Sequence, residues 1–207
     1  GDIDWDAEVT DNDASLVLSH VTGNELLSPL QQATGDASNS ASLSAFDASL
    51  ILQFNSGNID DIPIDNSDSF IANGDLQSLE ILGEVGEIVT IPISIENSNN
   101  LFSFTISFTY NNVQLESGSV YLGTISDYGF LVESSVSDSG SIIVSGASPT
   151  STDGDLDLFT MYFIPTEFEN GQLEIECNQI MLNEIMQQSF SILINNQLQI
   201  GNEVTPN

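Results

Sequence analysis

Five acidic residues stand at the start of this chain with a spacing that suits a metal: Asp2, Asp4, Asp6, Glu8 and, after a gap, Asp13. Counted from Asp2, side-chain oxygens fall at positions 1, 3 and 5. Glu8 at position 7 can offer its backbone carbonyl, Thr10 at position 9 can hold a water, and Asp13 closes the run at position 12. This is the spacing of a helix-hand calcium loop, in which a hard cation gathers about seven oxygens. The carboxylates of Asp2, Asp4, Asp6 and Asp13 would repel one another unless a divalent cation sat among them. Ala7 occupies position 6, where a sharp turn normally takes glycine, so strain is expected there. An acidic, solvated turn is the alternative, but the helix-forming stretch that follows at once favours the loop.

The opening phrase is written twice. GDIDWDAEVTDNDASLVLSHVTG begins at Gly1 and GDASNSASLSAFDASLILQFNSG begins at Gly35, an offset of 34. The second copy keeps Asp36 and Asp47 at positions 1 and 12. Ser38 and Ser40 replace the carboxylates at 3 and 5, Ser42 stands at 7 and Ser44 at 9. Hydroxyls are weaker ligands for calcium than carboxylates, and two fewer charges lower affinity. The second loop therefore reads either as a weak calcium site or as a metal-free turn held by serine hydrogen bonds.

The elements that must position these loops can be read from period and punctuation. Each loop leads into a helical stretch, DASLVLSHV or DASLILQF, which ends at Gly23 or Gly57 as a C-cap. Ser28-Pro29 reads as an N-cap followed by proline in the first turn, giving a short middle helix. Residues 58–75 are polar, acidic and without period, as in a linker. From residue 76 the period becomes two. In LFSFTISFTY, Phe102, Phe104, Ile106, Phe108 and Tyr110 alternate with Ser103, Thr105, Ser107 and Thr109, which predicts one core face and one hydroxyl-rich face. Other short runs (EIVTIPISIE, GSVYLG, FLVESSV, SIIVSGAS, LFTMYFIP, QLEIEC, SFSILI, LQIG) predict an antiparallel β-sandwich. Pro92 marks an edge or a bulge. The expected division is 1–60 for the helical module, 61–75 for the linker, 76–201 for the sandwich and 202–207 for a tail.

A duplicated calcium loop followed by Asp13-Ala14-Ser15-Leu16 and again by Asp47-Ala48-Ser49-Leu50 resembles a type I dockerin. Residues 76–201 resemble a cohesin, the jelly-roll partner of dockerins, on GEIVTIPISIEN, LFSFTISFTYNNVQLESGSV, GSIIVSGAS and MLNEIMQQS, although Tyr110-Asn111-Asn112 departs from the usual Tyr-Asp-Pro. The resemblance implies a mixed fold, with a small all-α calcium-loop unit beside an all-β antiparallel jelly-roll sandwich. It also implies a noncatalytic, extracellular role in calcium-dependent pairing. Carried over residue by residue, partner choice would rest on Asp11, Asn12, Leu18 and Ser19 in the first copy and on Ala45, Phe46, Leu52 and Gln53 in the second. Phe46 reads either as an exposed anchor or as part of the small helical core. The acceptor would be a hydroxyl-rich face such as Ser103, Thr105, Ser107 and Thr109, which otherwise reads as ordinary solvent face.

Composition narrows the partners. The chain has 207 residues, 31 Asp and Glu, one His and no Lys or Arg, for a formal net charge of −31 at pH 7. Nucleic acid and anionic membrane surfaces need cationic side chains, so neither is an expected partner. A chain without Lys or Arg offers trypsin-like proteases no cleavage site, which together with calcium points to an extracellular or cell-surface setting. No signal peptide is evident, so a secreted form is read as processed or excerpted. No apolar stretch reaches the length of a membrane span. Cys177 reads as a small buried core residue. His20 reads as a packing or surface residue, and no Ser-His-Asp set surrounds it. Asp153 and Asp155 read as a solvated turn or minor cation site rather than an acid–base pair. No enzyme is expected, and Ca2+ is the one expected cofactor. With plug and socket on one chain, the leading expectation is head-to-tail self-assembly into a filament. A contact within one chain remains conceivable, since the linker can span tens of ångströms when extended. The alternative is an adaptor for another cohesin- or dockerin-bearing secreted protein, such as a polysaccharide-degrading enzyme.

Overall fold

The computed structural model describes residues 1–64 and 70–197. The expected tail at 202–207 lies outside the described residues, as do 65–69 of the expected linker and the run LQIG. Three helices come first: α1 (Asp11–Thr22), α2 (Pro29–Gly35) and α3 (Ala45–Asn55). Each begins with a capping box, formed by Thr10 with Asp13, Ser28 with Gln31, and Ser44 with Asp47. Gly23 ends α1 at φ 82°, a left-handed conformation that glycine adopts without penalty. Every residue of α3 from Ala45 to Gln53 is buried. A helix apolar on all sides must be covered on all sides, and α3 is packed between α1 and the sheet.

Nine strands follow: β1 (Asn73–Asp75), β2 (Leu79–Gly83), β3 (Val89–Tyr110), β4 (Leu115–Leu122), β5 (Leu131–Ser137), β6 (Ser141–Pro165), β7 (Gln172–Leu182), β8 (Ile185–Met186) and β9 (Phe190–Asn196). The runs EIVTIPISIE and LFSFTISFTY were expected as separate strands, and so were SIIVSGAS and LFTMYFIP. They merge into β3 and β6, strands of 22 and 25 residues. Repeated register shifts between Ile93 and Ser103 bend this pair, so one ladder serves two layers. The C-terminal half of β3 sits between β7 and the start of β6, with β5 beyond β6 and β9 and β2 beyond β7. The N-terminal half of β3 pairs with the end of β6, which carries β4. Pro92 lies in this half, where β6 is its partner strand. β2 runs parallel to β9, and the other strand pairings are antiparallel among the described residues.

The two layers meet through aromatic rings. Phe159, on the end of β6, has its ring centroid 6.4 Å from Phe104 and 6.2 Å from Phe108, while Tyr110 and Phe163 meet at 5.1 Å. Phe104, Ile106 and Phe108 are fully buried in this core together with Cys177, so the period-two register holds. A Cβ on Gly146 would come within 2.5 Å of the Phe104 ring, which is why β6 carries glycine there.

Phe102 is the exception. Leu101 takes the inward place at the bulge, and Phe102 packs instead against the helical core, with its ring 5.5 Å from Phe70. The expected linker also differs from a free tether. Ile62, Ile64 and Phe70 pack on the helical core, and Asn73–Asp75 pairs with β3. Its acidic composition conceals these apolar anchors, which lack a period because each makes its own contact.

Phe104→Ala should lower stability by about 3–5 kcal/mol in urea unfolding, from lost burial and the cavity left behind. Phe102→Ala should act mainly on the helices, speeding hydrogen exchange in α3 while shifting the sandwich's own unfolding by no more than ~1 kcal/mol. Equal effects of the two changes on the sandwich would contradict the separate cores described above.

Candidate functional site

Both copies of the duplicated phrase fold as the same loop. Trp5 and Ala7 lie at φ 61° and 75°, and their equivalents Asn39 and Ala41 at 57° and 69°. A side chain at left-handed φ costs roughly 1–2 kcal/mol, so both alanines at position 6 are strained as expected. In both copies the closing aspartate is buried and turned back into its own loop. Asp13 accepts from the backbone N–H of Ile3 at 2.7 Å and of Thr10 at 2.9 Å. Asp47 accepts from the N–H of Ser38 at 2.9 Å and of Ser44 at 2.8 Å.

The first loop gathers charge. Oxygens of Asp2, Asp4 and Asp13 lie within 4.8 Å of one another. Asp2 Oδ1 is buried and has no hydrogen-bond partner, which is costly for a charged oxygen in the absence of a counter-ion. The Asp6 carboxylate, named with these three on spacing, is not in the cluster, while Glu8 was expected to contribute through its backbone carbonyl and not its side chain. Asp6 Oδ1 accepts instead from the N–H of Glu8 at 2.9 Å, and both side chains are exposed.

The second loop is held differently. Asp36 accepts from the N–H groups of Ser40 and Ala41, both at 2.9 Å, and the Ser40 hydroxyl donates to the Ser42 carbonyl. The hydroxyls of Ser38 and Ser44 are buried, and each lies 3.0 Å from Oε1 of Glu184 in the β7–β8 turn. Ser44 Oγ also lies 3.0 Å from Asp47 Oδ2, and its single proton can serve one carboxylate at a time. Burial raises the Asp47 carboxyl from its ordinary 3.8 to about 6. The Ser38 and Ser44 N–H groups and the Ser38 hydroxyl oppose that rise, and the charge of Glu184 adds to it.

The helical unit lies across the hydroxyl-rich face of β3 and β6 and against β5. Ser49 donates to the Ser148 carbonyl at 2.8 Å in a buried contact, while Asn58 donates to Pro149 and Asn24 to Ser134. The Phe46 ring is 5.2 Å from Phe70, which in turn stacks edge-on to Phe102. Ala45, Phe46, Leu52 and Gln53 are all buried, so Phe46 is a core residue of this junction and no exposed anchor. In the first copy Leu18 is buried and Ser19 half-buried, while Asp11 and Asn12 face solvent. Ser103 and Thr105, read either as an acceptor face or as solvent face, are covered, and Thr105 pairs with Ser145 at 2.8 Å. Ser107 lines a groove of about 730 Å³ beside the helices together with His20, Ile143 and Glu184. Thr109 lies farther along, exposed and bonded to Asn178. His20 Nδ1 lies 3.2 Å from the N–H of Leu27, in a structural contact.

Two residues of this junction carried no role in the sequence reading. Asn183 accepts from the N–H groups of Phe102 and Ser103 and donates to the carbonyls of Phe70 and Asn100, tying strand, linker and turn together. Glu184 reaches Ser38 across a sequence separation of 146. An Asn-Glu pair between two apolar runs signals a turn, but nothing local says what that turn touches. Asp153 and Asp155 accept from the N–H groups of Asn100 and Asn97 and so hold the bent part of β3.

No family model matches the sequence, and no curated protein matches it. Among solved structures, it is similar to a non-cellulosomal cohesin from the hyperthermophilic archaeon Archaeoglobus fulgidus, at 21% identity over 64% of this chain and 99% of that one, with a TM-score of 0.47. A cohesin module from a Clostridium perfringens family 33 glycoside hydrolase is similar at 16% identity over 62% and 99% of the two chains, with a TM-score of 0.45. A chain from a type I cohesin–dockerin complex of Clostridium thermocellum is similar at 13% identity over 59% and 98%, with a TM-score of 0.46.

The raised pKa of Asp47 has a definite sign. The folded chain holds this proton more tightly than the unfolded chain does. The contribution is complete below pH 3.8 and is lost as pH rises through about 6. Stability should therefore gain ~2–3 kcal/mol from this group between pH 7 and pH 4. Asp47→Asn should remove that part of the slope, as measured by urea unfolding of parent and variant across the range. Parallel slopes would mean that Asp47 titrates normally.

Proposed function

We propose that this chain is a noncatalytic, extracellular docking protein whose helical unit, ordered by calcium, binds the hydroxyl-rich face of a sandwich like its own. The observation that carries the reading is the junction itself. The second-copy helix lies buried on β3 and β6, joined by Ser49 to Ser148 and by the Phe46–Phe70–Phe102 rings. Of the acceptor hydroxyls, Thr105 beneath it pairs with Ser145 of β6.

The contact lies within one chain, where the sequence reading favoured a contact between chains. Head-to-tail assembly then requires an exchange, in which the same junction forms with the sandwich of the next copy. Such a heterologous contact closes a ring or runs on as a filament. A short tether gives the internal contact an effective concentration on the order of millimolar. Crowded chains are therefore favoured to assemble, whereas dilute chains close on themselves. Net charge adds a second control, because like-charged copies repel until cations lower the repulsion.

The residues present fit calcium at the first loop. Asp2, Asp4 and Asp13 would hold it, with the orphaned Asp2 oxygen as a ligand in waiting and no Lys or Arg to compete. Bound there, the cation supplies positive charge that relieves repulsion within the loop. The second loop already has its donors satisfied by hydrogen bonds, which supports its reading as a metal-free turn.

Calorimetric titration of chelator-stripped protein with calcium should show one strong site and a raised melting temperature. Asp13→Ala should abolish both more completely than any other single change in the loop. No heat and no thermal shift would remove calcium from the reading. Light scattering behind size exclusion should show monomer when dilute and calcium-dependent oligomers as concentration nears the millimolar range. A chain that stays monomeric throughout would exclude self-assembly and leave the adaptor reading in its place.

A further inference from the structure

We propose that the second loop has become a receptor for a carboxylate, and that its specific occupant is the Glu184 tip of the β7–β8 turn of the same chain. This rests on the docking reading and names the contact that makes docking selective. The two loops share a backbone, with left-handed φ at positions 4 and 6 and a buried aspartate at position 12 turned inward. They differ in the groups that a ligand would meet. In the first loop, carboxylates gather around an unpartnered buried oxygen. In the second, the hydroxyls at positions 3 and 9, Ser38 and Ser44, both lie 3.0 Å from Glu184 Oε1.

A hydroxyl can donate to an anion as readily as it can face a cation. A carboxylate at position 3 cannot donate unless protonated, and against Glu184 it would face a like charge. In a chain with no Lys or Arg, a glutamate brought to an interface is received chiefly by neutral donors or by a metal. The substitution of serine for aspartate at Ser38 therefore does more than weaken a metal site, because it admits the turn. The turn is itself shaped for presentation. Asn183 and Glu184 stand at φ 45° and 68°, and Asn183 is fixed by four hydrogen bonds to β3 and the linker, so Glu184 is held out toward the helical unit. The first loop, with aspartate at the matching position, would repel the same turn. The second loop can then receive this turn, whereas the first cannot.

The test is a double-mutant cycle in the full chain, read by hydrogen exchange of the α3 amides, which lose protection when the helix leaves the sheet. Ser38→Asp should speed α3 exchange by about tenfold, in line with coupling between charged neighbours. Glu184→Gln alone should change it by less than about threefold, since an amide oxygen still accepts from serine. The double variant should return to within about threefold of the parent, because the opposing charge is gone. If Ser38→Asp and Glu184→Gln act additively, or if Ser38→Asp has no effect while Glu184→Gln also has none, Glu184 is not being received and the proposal fails. It fails too if Ser38→Asp adds a second calcium site and slows exchange, which would make the second loop a depleted metal site. The docking reading fails separately, on a parent chain whose α3 exchanges as fast as a free helix.

Discussion

The absence of lysine and arginine sets the terms for every acidic group in this protein. A carboxylate here can be held only by a backbone N–H, a hydroxyl or amide, water, or a metal from outside. The structure uses the first two throughout. Asp13 and Asp47 take N–H groups at helix starts, where the helix dipole also favours negative charge. Asp153 and Asp155 take N–H groups of a bent strand, and Glu184 lies against the hydroxyls of Ser38 and Ser44, the second of which it shares with Asp47. Where neutral donors run short, as at Asp2, the lack is itself a signal, and it falls in the loop whose spacing suits calcium.

The same constraint shapes the junction between the helices and the sandwich. Charge pairing is ruled out, so the contact is built from apolar rings, small residues and single hydrogen bonds to carbonyls. Ala147, on the outer face of β6, belongs to the helical core, and Ser145 beside it pairs with Thr105. Hydroxyls that satisfy each other lose little when covered, which lets a polar sheet face be buried without a charge partner. The bent β3–β6 ladder leaves this face to the helices, because the second sandwich layer packs on the opposite side.

The duplication gives one backbone two chemistries. Capping box, turn geometry and inward-facing aspartate are common to both copies, and these set the loop shape. The residues at positions 3 and 5 set what the shape receives. Retaining aspartate keeps a hard, acidic cradle suited to a divalent cation. Replacing it with serine gives a neutral donor surface that meets the sandwich. Burial raises the Asp47 carboxyl to about 6, with the Glu184 charge adding to the rise, so the second copy lends the fold a stability that is greater in acid.

Much of this was legible in the residue order. Loop spacing, helix caps and the strand period are local features, and they were readable because hydrogen bonds between near neighbours and side-chain alternation are settled within a few residues. The inward register of Phe104, Ile106 and Phe108 follows from that alternation alone. The long-range placements were not legible. Phe102 left the alternation at a bulge, Ile62 and Phe70 anchored a stretch that reads as a tether, and two pairs of predicted strands proved to be single bent strands. Above all, the Glu184 contact joins residues whose sequence separation is 146. Neither serine nor glutamate announces such a partner, because a hydroxyl and a carboxylate can each be satisfied by water. Only the tertiary structure, by bringing a turn from the sandwich against a loop of the helical unit, makes them partners.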